Sequence, residues 1–290
     1  MSDPSLPATS MKHIHSMSDM SAFAADLRSH GTTIGLVPTA GALHAGHEAL
    51  VRDAKARAGA AIVSIFVNPL QYGPHEKISD RPQSTADDLR CCNEWGAEAA
   101  FTPSVEEIYP HGFSTYVSEE ALSKPMCGIS RPNHFRGVTT FMVKLLNLIQ
   151  PEFVFFGQKT AQRAAVVRKL AKDLGFRVQV VAVPTVRDVD GLALGVRNHA
   201  LTANQRSDAL ALFQALQKAK EMADAGVRSP DRVVAEATHI LAQHRRIRVI
   251  YVAVLDNDTL APVREIKPGH CMVAIAAWVD EVRLIDNILL

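Results

Sequence analysis

Two histidines three residues apart, His44 and His47, carry the clearest chemical signal in this chain. They close the run Val37-Pro38-Thr39-Ala40-Gly41-Ala42-Leu43-His44-Ala45-Gly46-His47, which lies between an apolar stretch at 34–37 and a helix-like stretch at 48–57. On a first helical turn that spacing puts both rings on one face. A helix N-terminus adds unsatisfied backbone N–H groups and the positive end of the macrodipole, so the run predicts a phosphate-binding turn between a strand and a helix. Later apolar runs end on polar groups too. Asn68 and Gln71 follow 61–67, Lys159 follows 153–156, and Arg197 lies in the glycine-bearing stretch 190–198. Two histidines, a lysine and an arginine suit phosphoryl or adenylyl transfer, which needs positioning and positive charge where the transition state gathers negative charge.

These residues need a scaffold, and the hydrophobic pattern supplies one. Residues 20–28 read as a helix ending near Gly31, and 61–67 is a near-continuous apolar run of the kind buried on both faces of a parallel sheet. A helix over 84–95 has Ser84 or Thr85 to cap it, and Asp87 and Asp88 in its first turn. Short apolar strands at 99–102, 153–156 and 178–183 alternate with helices at 138–149 and 160–174, while 103–132 is irregular. Strands alternating with helices predict an α/β fold with a parallel sheet, and ligands of such sheets sit outside the carboxyl ends of the strands. After Pro184 the order changes. A capping-box spacing at Thr202–Gln205 opens a long helix, Ser229-Pro230 opens another, and three strand-like runs follow at 249–255, 271–279 and 282–289. The reading is a larger α/β domain at 1–185 and a smaller α+β domain at 186–290.

Bulk properties exclude several classes. Among 290 residues, 31 basic and 30 acidic side chains leave a net charge of +1, so no global field attracts nucleic acid or an anionic membrane. No apolar run reaches the ~20 residues of a membrane-spanning helix, and the polar start of the chain shows no secretory signal. Cys91, Cys92, Cys127 and Cys271 form no C-x-x-C pair, which fits a reduced, cytoplasmic protein. His13 and His15 lack a third ligand nearby, and the run Arg245, Arg246, Arg248 reads as an exposed helix end.

The stretch Pro38–His47 resembles the His-x-Gly-His nucleotidylyltransferase superfamily. Three more stretches narrow it: Phe66-Val67-Asn68-Pro69-Leu70-Gln71-Tyr72-Gly73, Arg131-Pro132-Asn133-His134-Phe135-Arg136-Gly137-Val138, and 190–194 followed by Arg197-Asn198. Together they are similar to the pantothenate synthetase (pantoate–β-alanine ligase) family. The resemblance implies a Rossmann-like N-terminal domain with a C-terminal lid, a homodimer, and ATP and Mg²⁺ as cofactors. The implied reaction forms pantoyl adenylate and pyrophosphate, then passes the acyl group to β-alanine. It implies that His44, His47, Lys159 and Arg197 are catalytic. ATP would meet Pro38, Thr39, Ala40, Gly41, His44, Gly46, His47, Gly157, Lys159, Val186, Gly195, Val196 and Arg197. Gln71, Gln162, Arg163 and Arg131 would hold the acid, and Asp87 and Asp88 would lie near the metal.

The chain departs from the family around one crevice. Ala40 stands for the family's methionine, and in the stretch after Gly157 an aspartate, an aromatic and a glutamine are replaced by Thr160, Ala161 and Arg163. Gly195-Val196 replaces a pair of serines, and Arg81-Pro82-Gln83 replaces Tyr-Pro-Arg. A lost hydroxyl bond to a charged phosphate costs about 1.5–3 kcal/mol, and Arg163 brings a fixed positive charge where a neutral amide stood. Two alternatives therefore stand beside a pantoate ligase: a related acyl-adenylate ligase for another acid or amine, and a nucleotide-binding regulator without turnover.

Overall fold

The computed structural model describes residues 11–73 and 84–290, so the altered stretch Arg81-Pro82-Gln83 lies outside the described residues. The larger sheet holds β1 (Lys12–Ile14), β2 (Ile34–Thr39), β3 (Ala60–Ile65), β4 (Ala99–Phe101), β5 (Phe153–Gly157) and β6 (Gln179–Val183). Its order is β1-β4-β3-β2-β5-β6, and every neighbouring pair is parallel. From β2 the chain steps outward through β3 and β4, then returns to the other side through β5 and β6. That is the Rossmann-like order, with its reversal between β2 and β5.

Helices cover both faces. α1 (Met17–Ser29), α2 (Ala45–Arg57), α3 (Thr85–Glu94), the short α4 (Val105–Ile108) and α5 (Cys127–Ser130), α6 (His134–Ile149) and α7 (Ala161–Asp173) follow in chain order. One core packs Met20, Phe141, Leu145 and Val166 against Leu36, Ile62 and Phe156; the other packs Leu50, Val51, Ala54 and Cys92 against Val37, Val63 and Phe155. The strands are apolar on successive residues because both of their faces are buried. The helix expected from residue 48 begins three residues earlier, because His44 and His47 supply its cap. The irregular stretch 103–132 contains α4 and α5.

The C-terminal part carries α8 (Ala203–Asp224), α9 (Pro230–Ala242) and an antiparallel sheet of β7 (Ile247–Asp256), β8 (Cys271–Val279) and β9 (Val282–Leu289), ordered β7-β8-β9. The capping box at Thr202 and Gln205 forms as its spacing predicts, and Ser229 caps α9 ahead of Pro230. Leu212, Leu216, Val233 and Leu241 pack on Val273 and Ile275 in a separate core. The linking segment is anchored by Arg187, whose guanidinium donates to both carboxylate oxygens of Asp286 at 2.6 and 3.1 Å and stacks 3.9 Å from the Phe213 ring centroid. Among the described residues no helix is long and apolar enough to cross a membrane.

Candidate active site

The reversal between β2 and β5 is where the polar residues gather. β2 ends at Thr39, whose hydroxyl donates to the Ser64 carbonyl at 3.0 Å and ties the strand to β3. The chain then turns through Gly41 (φ +74°) and Ala42 (φ +53°), two successive left-handed residues. His44 is the N-cap of α2. Its Nδ1 accepts the Gly46 N–H at 3.0 Å, and its own N–H donates to His47 Nδ1 at 3.2 Å. With Nδ1 of each ring acting as an acceptor, each ring is neutral and carries its proton on Nε2. Burial, then the charges of Lys159 and His199, hold the His44 pKa down to about 4. The two rings lie 4.1 Å apart between centroids. Gly46 is required here: a Cβ at that position would lie 2.8 Å from His44 Cε1. The motif is thus a helix cap made of two hydrogen-bond donors of fixed tautomer, set beside the positive end of a helix.

Across the reversal, Gly157 ends β5 and starts a single 3₁₀ turn, Gln158–Thr160. Lys159 extends from it to the linking segment, where Nζ donates to the carbonyls of Ala193 at 3.0 Å and Leu194 at 2.9 Å. Burial lowers its pKa to about 8; Asp286 opposes that shift, and Arg187 and Arg197 add to it. A Cβ on Gly195 would lie 2.6 Å from that ammonium, so the glycine leaves the seat Lys159 takes. Val196 and Arg197 open a 3₁₀ turn, Val196–Ala200, capped by Gly195. The Val186 carbonyl accepts the Leu194 N–H at 3.0 Å and closes the loop behind it.

The turn after β3 is built on Asn68. This buried amide donates to the Gly137 carbonyl at 2.8 Å and accepts from the Leu70 N–H and the Tyr109 hydroxyl, both at 3.1 Å. A Cβ on Gly137 would lie 2.5 Å from the Leu70 carbonyl oxygen, so only glycine lets α6 meet the Pro69–Gln71 turn. The Gln71 carbonyl accepts from Arg131 Nη2 at 3.0 Å and from His134 Nδ1 at 3.1 Å. Burial and then the guanidinium charges of Arg131, Arg163 and Arg197 hold the His134 pKa well below its usual value, so His134 is neutral among three arginines. Gln162 is engaged by the backbone. Its carbonyl oxygen accepts the Cys127 N–H at 3.0 Å, and its NH₂ donates to the carbonyls of Leu122 at 3.0 Å and Pro125 at 2.6 Å. The amide is spent on folding the loop before α5.

Asp87 and Asp88 do not come together as metal ligands. Asp87 is exposed and pairs with Arg90 at 3.3 Å, whereas Asp88 is buried and accepts the Ala42 and Leu43 N–H groups at 3.0 and 2.7 Å. Among the described residues no group of three or more His, Cys, Asp or Glu side chains is placed to hold a metal ion. The described residues therefore do not build a protein-held Mg²⁺ site of three or more such side chains.

The model of the pantoate-β-alanine ligase family matches residues 12–289. The chain belongs to the pantoate-β-alanine ligase family. It is 43% identical over 280 residues to the pantothenate synthetase of Thermotoga neapolitana, covering 97% of this chain and all of that one. It is 44% identical over 268 residues to the enzyme of Moorella thermoacetica, covering 92% and 94%. The crystal structure of pantothenate synthetase from Thermus thermophilus superposes with a TM-score of 0.90 at 37% identity, over 96% of this chain and 99% of that one. A pantoate-β-alanine ligase from Francisella tularensis, complexed with β-γ ATP and β-alanine, gives 0.79 at 26% identity, over 96% and 97%.

Two residues of this family member escaped the sequence reading. Asp286 and Asn287 sit buried in β9 and reach back to the Lys159 turn, where Asn287 Nδ2 donates to the Gln158 carbonyl at 2.9 Å and its Oδ1 accepts from Gln158 Nε2 at 3.0 Å. A polar pair inside a strand that is mostly apolar, with Arg283 its other polar residue, was the available signal.

Proposed function

We propose that this member of the pantoate-β-alanine ligase family condenses pantoate with β-alanine through pantoyl adenylate, and that it does so at the β2–β5 reversal. The reading rests above all on the histidine cap, which sets two neutral Nε2–H donors beside a helix N-terminus, with the Lys159 ammonium close enough to shift the His44 pKa. In the first step a pantoate carboxylate oxygen attacks the α-phosphorus of ATP, and the bond to the bridging oxygen breaks to release pyrophosphate. His44, His47 and the α2 N-terminus donate to phosphate oxygens as negative charge builds on them. Lys159 leaves its two carbonyls to meet phosphate, and Arg197 adds a fixed charge. In the second step the β-alanine amine attacks the acyl carbon, a proton leaves the nitrogen, and AMP departs with the carboxylate oxygen.

The other assignments belong to the same proposal. Pro38, Thr39, Ala40, Gly41, Gly46, Gly157, Val186, Gly195 and Val196 line the nucleotide side, and Gln71, Arg131 and Arg163 the acid side. Mg²⁺ would arrive on the phosphates of ATP, because the acidic pair near the site is otherwise engaged. Residues 1–185 form the nucleotide- and acid-binding domain and 186–290 the lid. A homodimer is proposed from the family resemblance alone, and four free thiols support a reducing, cytoplasmic setting. The test is pyrophosphate release that requires both ATP and pantoate, with amide formed only when β-alanine is added. Release without pantoate, or binding without release, overturns it.

A second reading keeps the adenylation and changes the acid. Arg163, where the family has a neutral glutamine, stands with Arg131 and Arg197 within electrostatic range of His134. An acid with a second anionic group suits that charge. A panel of acids decides: pantoate turning over fastest removes this reading.

A further inference from the structure

We infer that Asp88 is a positioning residue for adenylation: from α3 it clasps the turn that aims His44 and His47, and it spends both carboxylate oxygens doing so. The inference rests on the ligase reading for the reaction it serves. The clasp itself is a matter of geometry.

The carboxylate is 5% exposed. Oδ2 accepts the Ala42 N–H at 3.0 Å and Oδ1 accepts the Leu43 N–H at 2.7 Å. These two N–H groups flank the Cα of Ala42, a non-glycine residue at φ +53°. A left-handed alanine costs about 1–2 kcal/mol relative to its ordinary conformation and persists only where its surroundings hold it. Charge-assisted bonds on both sides of the residue do that. The Gly41 side of the turn fits against the same group, since a Cβ there would lie 2.9 Å from Asp88 Oδ2. Space as well as backbone angle therefore requires glycine at 41.

The consequence for the site follows along the chain. Leu43 is the residue before His44. Whatever fixes the Leu43 N–H fixes the start of the peptide that leads to the His44 N–H, and that N–H donates to His47 Nδ1. Asp88 sits 46 residues from Ala42 in sequence and is the tertiary anchor of this turn. Its neighbour Asp87 makes no such contact and pairs with Arg90 on the surface. A metal bound at Asp88 would have to share oxygens that already hold the Ala42 and Leu43 N–H groups.

The experiment compares wild type, Asp88→Asn, Gly41→Ala and the double variant for pyrophosphate release with ATP and pantoate, across a Mg²⁺ titration, with amide hydrogen exchange at residues 42 and 43. Asparagine keeps one acceptor and turns an NH₂ toward the other N–H. The expected result is a fall in kcat of about ten- to hundredfold, the worth of one charge-assisted bond, with KM for ATP and half-saturating Mg²⁺ each within about threefold and faster exchange at 42 and 43. Gly41→Ala strains the same clasp with Asp88 in place, so the double variant loses less than the sum of the two. It also carries the test if Asp88→Asn does not fold. A raised Mg²⁺ requirement with activity recovered at high Mg²⁺, or additive losses, or unchanged exchange, overturns the proposal. Wild-type chain that releases no pyrophosphate sinks the ligase reading instead, and the exchange measurement then decides the clasp alone.

Discussion

The β2–α2 turn and the turn after β5 face each other across the sheet reversal, and they are held in different ways. The first is fixed largely by local hydrogen bonds: His44 and His47 cap their own helix, and Asp88 joins from far along the chain. The second is fixed by buried charge contributed from the C-terminal part, through Lys159 on two carbonyls, Asp286 against Arg187, and Asn287 on the Gln158 carbonyl. The family's residues survive in the first half except at Ala40. In the second they change at Thr160, Ala161, Arg163, Gly195 and Val196. A tight turn with left-handed residues and a ring-on-glycine contact tolerates few side chains, since each Cβ has no room to move. A lysine held by backbone carbonyls tolerates more, because carbonyls are present whatever the side chain.

Four experiments would break or sharpen that contrast. The largest effect is expected at the histidine cap. His44→Asn keeps a good N-cap residue and removes the Nε2 donor, so the melting temperature should stay within a few degrees while kcat for pyrophosphate release falls by about 10²–10³-fold. Retained activity would reduce His44 to a structural cap. On the other half, Asp286→Asn leaves the buried Arg187 charge uncompensated and should cost about 3–5 kcal/mol of stability, read by denaturant unfolding. A loss below about 1 kcal/mol would mean that the second half is not held by that pair.

The pH dependence comes third. Lys159 has its pKa depressed to about 8 and His44 to about 4. Both are in their working forms between these values: the lysine is charged below about 8, and the imidazole is neutral above about 4. kcat/KM for ATP should therefore fall as pH rises through about 8, and Lys159→Arg, charged throughout, should lack that limb even if its overall rate is lower. An alkaline limb unchanged in the variant assigns it elsewhere. The smallest effect is at Gly195→Ser. Its Cβ would displace the ammonium from its carbonyl seat, so the lysine competes less with itself for phosphate, and KM for ATP should fall about three- to tenfold. A rise in KM would show that the seat prepares Lys159 for phosphate.

Most of the scaffold could be read from the chain, because its strands are buried on both faces and its helices start at Ser, Thr or Pro signals that act locally. The parallel order, the switch to α+β after Pro184 and the Thr202 capping box all came from patterns a few residues long. The start of α2 did not, since histidine is an uncommon cap and its side-chain geometry is not a propensity. The gathering of His44, His47 and Lys159 at the sheet reversal was legible, because each sits beside the end of its own strand. The site was illegible where a residue acts through distant backbone. Asp88 reads as an ordinary acidic residue of a helix's first turn, and nothing near it in sequence announces two N–H groups 45 and 46 residues away. Gln162 is the opposite case, since its place in a motif gave no sign that its amide would also hold a loop together. Asp286 and Asn287 lie in a strand whose polar residues only make sense once β9 is seen beside the Lys159 turn.

That last contact has a consequence for how the molecule comes into being. Asn287 donates to the carbonyl of Lys159 from 128 residues further along the chain. During synthesis at about 5–20 residues per second, the larger sheet and its histidine turn can be complete about 5–20 seconds before the strand that secures the lysine turn has been made. The nascent chain thus passes through an interval with the histidine turn assembled and the lysine turn still waiting, and if the proposed site is right, a nucleotide arriving in that interval would find the helix end and its two histidines without a secured Lys159.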